Sequence, residues 1–169
     1  MTEPTARLRD LLRELVDAEI RFVLVGGLAV NAWGYLRGTQ DIDLVPDPDA
    51  DNLSRLAALL VDLGGTVEVG GQLLSAESIS IFLRAGDLTM IQTPLGKVDV
   101  LQGLPTIPRY SELIKGAEAV ELGEITVRVC SLHDLLEMKR AAGRPLDLID
   151  IEALEAAHPG LSETGDEGR

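Results

Sequence analysis

Two aspartates, Asp41 and Asp43, stand two residues apart inside the apolar run "QDIDLV", a short gap after the glycine pair Gly26-Gly27. On an extended strand, residues i and i+2 share a face, about 7 Å apart at Cα. Ile42 and Leu44 then point the other way, toward a core. Two carboxylates this close repel, and one keeps its proton unless a cation neutralises the pair. Mg²⁺ does this through oxygen ligands and commonly holds substrate phosphates as well. The stretch "GKVDVLQ" provides a third carboxylate, Asp99, again between apolar neighbours. Three such groups suffice for a two-metal site. The competing reading is an edge strand with its outer face in water, and for one Asp-x-Asp in isolation it is the better one. The glycine pair weakens it. Gly26-Gly27 ends a strand and opens a helix, so backbone N–H groups and the helix dipole can meet a phosphate. A metal beside an anion pocket suits a nucleoside triphosphate. The stretch is not a P-loop, because Gly-Lys-Ser/Thr is missing, and not a dinucleotide fingerprint, because the third glycine is misplaced.

The elements that must position these residues follow from periodicity. Thr5 can cap a first helix that buries Leu8, Leu11, Leu12, Leu15 and Val16 and ends near Ala18. "RFVLVG" reads as a buried strand, "LAVNAWGYL" as a short helix, and "QDIDLV" as a strand stopped by Pro46 and Pro48. Asp47, Asp49 and Asp51 resemble a calcium-loop start, but the required Gly and Glu do not follow. They open the next helix, whose apolar face is Leu53, Leu56, Leu59, Leu60 and Leu63. "TVEV", "SISIFL", "LTMIQT" and "KVDVLQ" read as short extended pieces, "LPTIPRYSELIKG" as a loop into a helix, and "EITVRVC" as a strand. Ser131 caps a helix to about Ala142, with Asp134 as a weaker capping-box partner. Gly143, Arg144 and Pro145 break it, and "LDLIDIEALEAA" is the last helix. The expectation is one α/β domain over residues 1–158 with a mixed sheet, and a disordered tail over 159–169.

Composition bounds the function. The 169 residues suffice for one domain with a real core, and 46% of them are hydrophobic. The net charge of −13 argues against a broad grip on nucleic acid, and 3% aromatics leave few stacking platforms for bases. Cys130 is the only cysteine, so no internal disulfide forms. The charged N-terminus lacks a signal core, and no apolar run approaches the ~20 residues that span a bilayer. A reducing cytoplasm is the default location, with no membrane contact. Trp33 reads as core, His133 and His158 as structural, and Cys130 as a small buried apolar residue.

The ordered motifs resemble the nucleotidyltransferase superfamily of the DNA polymerase β type. Gly26, Gly27, Asp41, Asp43 and Asp99 match its Gly-Gly or Gly-Ser, Asp-x-Asp and later-strand Asp. The text "GGLAVNAWGYLRGTQDIDL" is closest to the small bacterial branch that includes AbiEii-like toxin nucleotidyltransferases. In that branch Arg37 and Thr39 match an Arg-x-Thr/Ser before Asp-x-Asp. Lys139, Arg144 and Asp147 in "EMKRAAGRPLDLIDIEAL" match a Lys followed by Arg-x-x-Asp. Gly27 stands where many superfamily members carry Ser, so a hydroxyl contact to phosphate is missing there.

The resemblance implies a mixed sheet flanked by helices, with Mg²⁺ or Mn²⁺ held by Asp41, Asp43 and Asp99. It also implies transfer of a nucleoside monophosphate from an NTP, with pyrophosphate released. Asp99 also stands as the base for the acceptor hydroxyl. By residue type alone, Lys139 and Arg144 are cations at a solvated helix end. The resemblance gives Lys139 a phosphate or catalytic role, and Arg144 and Arg37 a weaker one. Asp147 either positions those cations or simply begins the last helix. The acceptor is left open among tRNA, a protein hydroxyl and a small molecule. RNA would need a track from Arg109, Lys115, Arg128, Lys139, Arg140 and Arg144. The resemblance also admits a toxin with an antitoxin partner. Two alternatives stand beside the enzyme: a non-transferring, nucleotide-binding regulatory or antitoxin module, and a metal-stabilised interaction domain.

Overall fold

Leu8, Leu11, Leu12 and Leu15 fall at helical spacing, and all four are buried on one face of α1 (Ala6–Asp17). Burying such side chains stabilises the fold by roughly 1.5–3 kcal/mol each. The computed structural model describes residues 6–161, so the expected cap at Thr5 and most of the expected tail lie outside the described residues. After α1 come β1 (Phe22–Val25), α2 (Gly26–Ala32), β2 (Asp41–Pro46), α3 (Ala50–Asp62), β3 (Thr66–Val69) and β4 (Gln72–Leu74). They are followed by α4 (Ser78–Ala85), β5 (Thr89–Thr93), β6 (Gly96–Val100), α5 (Tyr110–Gly116), β7 (Glu118–Leu122) and β8 (Ile125–Val129). α6 (Leu132–Ala142), α7 (Pro145–Ala157) and a 3₁₀ turn (Pro159–Leu161) close the described chain.

The strands form one mixed sheet in the order β4-β3-β5-β6-β2-β1-β8-β7. β1 runs antiparallel to β2, whereas β2 and β6 are parallel. Ile42, Leu44, Val98 and Val100 are fully buried on one face of that central pair. The odd-numbered positions between them face the other way. The mixed α/β sheet with flanking helices is the architecture expected from the sequence.

Three local expectations need correction. "SISIFL" is not a strand but the core of α4. Its alternating isoleucines suggested a period of two, yet Ile79 and Leu83, at i and i+4, are the buried pair while Ile81 is 69% exposed. Gly86, at φ 75°, ends that helix. β4 and β7 were not expected. Both are sheet edges, and their mostly exposed residues carry no apolar alternation to read. The helix expected over "LAVNAWGYL" is shorter, because it starts at the glycines and stops before Trp33.

Other expectations hold. Asp49 caps α3 by accepting from the Asn52 N–H, and Asp47 and Asp49 both pair with Arg21. Ser131 caps α6 through the Asp134 N–H at 3.0 Å. Cys130 is fully buried, and burial pushes its thiol up to about 12. Trp33 packs against the core, and its Nε1 donates to the Cys130 carbonyl at 2.9 Å. His158 stands edge-on to Trp33, with ring centroids 5.8 Å apart.

Candidate active site

The parallel pairing of β2 with β6 sets Asp43 directly beside Asp99 and Asp41 beside Lys97. Neighbouring residues on adjacent strands project to the same face, so three carboxylates gather on one side of the sheet. A segment far along the chain thus delivers its aspartate to the pair on β2.

The glycine turn presses against this group. Gly26 begins α2 at φ 69°, a conformation that suits glycine. A Cβ there would sit 2.0 Å from Asp43 Oδ2. The backbone at residue 26 therefore touches the Asp43 carboxylate, and no other residue type allows that approach. At Gly27 a Cβ would meet Thr39 Oγ1 at 2.7 Å. The Thr39 hydroxyl thus occupies the space a side chain at 27 would take, a short reach from the missing serine.

The carboxylates are poorly satisfied. Asp43 is pushed up to about 7, first by burial and then by the charges of Asp99 and Asp41. Asp99 is raised as well, again chiefly by burial, with Lys97 opposing. The two carboxylates stand side by side across the paired strands, so each meets the charge of the others as well as burial. Asp99 Oδ1 is buried without a hydrogen-bond partner, and the nearby Lys97 Nζ is 3.7 Å away. Leaving such an oxygen unmet is costly. Among the described residues, no three His, Cys, Asp or Glu side chains are gathered closely enough to hold an ion as they stand. The donor set still fits a hard cation. All the donors are oxygens, one is orphaned, and the carboxylates lie buried among like charges.

The opposite wall comes from α6 and α7. Lys139, 7% exposed, donates to Asp147 Oδ1 at 3.1 Å and lies 2.9 Å from Asp150 Oδ2. Asp150 is fully buried and also takes Arg37 in a two-pronged contact, Nε to Oδ1 at 2.8 Å and Nη2 to Oδ2 at 3.0 Å. Arg144, at the N-cap of α7, bonds Asp147 through its backbone N–H and its Nε. Burial pushes the Asp147 carboxyl up, but the hydrogen bonds from Arg144 and Lys139 outweigh it and hold it below the usual range. Asp147 thus does both things allowed for it: it opens α7 and it positions both cations.

All ten residues singled out in the sequence, namely Gly26, Gly27, Arg37, Thr39, Asp41, Asp43, Asp99, Lys139, Arg144 and Asp147, line one cleft of about 480 Å³. Leu88, Leu101, Leu104, Ile107 and Leu146 add an apolar lip. Asp150 was missed. Its signal was present, since it is a charge between Ile149 and Ile151, as Asp43 is between Ile42 and Leu44. The cations proposed as an RNA track are partly occupied. Lys139 and Arg144 are paired as described, and Arg140 bonds Glu137 and Glu155.

No protein-family model and no curated protein sequence matches the chain. Solved structures do. The crystal structure of ANT(2")-Ia in complex with adenylyl-2"-tobramycin matches with a TM-score of 0.61 at 17% identity, over 92% of this chain and 89% of that one. The lincomycin-bound lincosamide antibiotic adenylyltransferase LnuA gives 0.60 at 16% identity, over 93% and 99%. An antigenic nucleotidyltransferase-like protein from Paracoccidioides brasiliensis gives 0.58 at 18% identity, over 91% and 78%. The chain has the nucleotidyltransferase fold. No described helix is long and apolar enough to cross a membrane.

Proposed function

We propose that this chain moves a nucleoside monophosphate from an NTP to an acceptor hydroxyl. The observation that carries the reading is Asp43 set beside Asp99 across parallel strands, with the glycine backbone in contact with Asp43. Asp41, Asp43 and Asp99 are the residues that would hold Mg²⁺ or Mn²⁺. Such an ion would supply charge neutralisation between phosphate oxygens and carboxylates.

The chain's own groups do the rest. The acceptor oxygen forms a bond to the α-phosphorus. The bond from that phosphorus to the bridging oxygen breaks, and its electron pair leaves with pyrophosphate. Asp99 takes the hydroxyl proton at Oδ1, the oxygen without a hydrogen-bond partner. Arg37, Lys139 and Arg144 give the cleft a cationic wall for the triphosphate. Arg144 is the freest of the three, with its side chain 73% exposed against 8% for Lys139. Arg144 therefore reaches for phosphate, while Lys139 acts from a fixed position. Thr39 supplies the hydroxyl that Gly27 lacks.

The molecules named with two of the structural neighbours, adenylyl-2"-tobramycin and lincomycin, support a small-molecule acceptor ahead of tRNA or protein. Placement in the AbiEii-like branch, a toxin role and an antitoxin partner rest on the sequence resemblance alone. The test is label transfer from each α-phosphate-labelled NTP with Mg²⁺, using Asp43→Asn as control. Label that depends on Asp43 establishes the activity. NTP binding with no transfer to any acceptor identifies a non-transferring module instead.

A further inference from the structure

The trough does not end at the carboxylates. Beyond Asp43 the same face of β2 continues to Val45, and two residues beyond Asp99 the chain has left β6 at Leu101. Over these residues the segment 101–112 encloses a second groove of about 890 Å³. Leu101, Leu104, Thr106 and Ile107 line both spaces, so the two adjoin along this segment, the first a charged end and the second an apolar end.

We propose that the apolar end is the acceptor subsite. Its occupant is a small molecule with an apolar body and little or no charge, which lays a hydroxyl at Asp99. This inference rests on the nucleotidyltransferase reading above. The volume suits it, since pockets for such ligands run to roughly 300–1,000 Å³. Pro46, Pro48, Pro105 and Pro108 form much of the wall, with backbone nitrogens that cannot donate. Contact there is apolar and shape-defined. Among the described residues lining the groove, the charged ones are Arg109 and Glu112, one of each sign. Glu112 already accepts from the Arg109 backbone N–H at 3.3 Å. The Gln102 amide is engaged by the Leu83 carbonyl at 3.2 Å. The hydroxyls of Thr106, Tyr110 and Ser111 remain to orient a ligand.

The same inventory disfavours other acceptors. RNA needs several phosphates neutralised together, and the groove offers one arginine in a chain of net charge −13. A polycation would find a single carboxylate.

The experiment uses the full chain, Mg²⁺ and α-phosphate-labelled NTP with four acceptor pools. These are total tRNA, lysate protein, and a dialysable cell extract split by cation exchange into retained and unretained fractions. Label is expected on unretained small molecules. Ser111→Trp and Pro105→Trp each place bulk in the groove at an exposed position that does not line the carboxylate cleft. Each is expected to raise the acceptor KM about tenfold, the effect of one lost good contact, while NTP affinity by calorimetry stays unchanged. Label on tRNA, protein or retained compounds overturns the inference. So does an unchanged acceptor KM in both folded variants, or NTP binding with no label in any pool. Failure of the wild-type chain to bind NTP rejects the nucleotidyltransferase reading itself.

Discussion

Two acidic clusters face one another across the cleft, and they are built on opposite principles. On the sheet, Asp41, Asp43 and Asp99 meet mostly one another, which with burial raises Asp43 and Asp99, and one buried oxygen stays unpartnered. On α7, Asp147 and Asp150 are more deeply buried, yet every charge is met by Lys139, Arg37 or Arg144. Burial alone therefore does not mark a functional carboxylate. What marks it is burial among like charges. The first cluster holds electrostatic energy that a cation and phosphates would release. The second uses its energy to hold cations in place. Three cations on two carboxylates leave one positive charge in surplus beside the cleft.

The largest expected effect lies in the unsatisfied cluster. Asp43→Asn should lower transfer by at least about a hundredfold, the scale of losing one preorganised electrostatic group. Its folding stability should not fall, because a like-charge contact is removed. A loss of stability in urea unfolding would show that Asp43 is structural after all.

Asp150→Ala should behave in the reverse way. Removing it strands Arg37 and leaves Lys139 with Asp147 as its carboxylate partner, at a cost of about 3–5 kcal/mol. Chemical denaturation reads this directly. A neutral result would remove the contrast between the clusters.

Gly26→Ala comes next. Its Cβ would displace the Asp43 carboxylate, so Mg²⁺-dependent NTP binding should weaken by about tenfold while the melting temperature drops only modestly, strain at such a position costing of order 1–3 kcal/mol. Isothermal titration with and without Mg²⁺ measures the loss.

The pH dependence is a smaller effect with a definite sign. The folded chain holds the Asp43 proton up to about 7, whereas an unfolded chain releases it near 3.8. Between those values the folded state binds more protons, so the metal-free protein should lose stability as pH rises. Mg²⁺ should flatten that slope, and Asp43→Asn should reduce it to the part carried by Asp99, which burial also raises. A metal-free melting temperature that rises from pH 4 to 7 would contradict the charge distribution described here.

The smallest effect belongs to Thr39→Val. It keeps the shape beside Gly27 and removes the hydroxyl, so the KM for NTP should rise a few-fold with kcat little changed.

Much of the site was legible because its residues break a pattern. Asp41, Asp43 and Asp99 interrupt apolar alternation in strands, and a period of two assigns them a face without further information. Asp150 breaks the pattern of α7 in the same manner, but its meaning depended on where Arg37 and Lys139 would stand. "SISIFL" supports two periods about equally, and packing against β3 and β5 selected the helical one. β4 and β7 exist through pairing with β3 and β8, which local composition does not encode.

By itself the sequence determined which face each strand aspartate takes, where the backbone must be glycine and where the helices capped by Asp49 and Ser131 start. Those are matters of neighbouring residues: side-chain alternation, φ freedom and capping. Only the tertiary structure decided that Asp99 lies beside Asp43, that Asp150 ties α7 to Arg37, and that the apolar groove adjoins the carboxylate cleft. Each joins segments distant in the chain. Strand register, buried ion pairs and groove walls arise from closing long loops and packing their contents, and no short stretch of residues specifies that outcome.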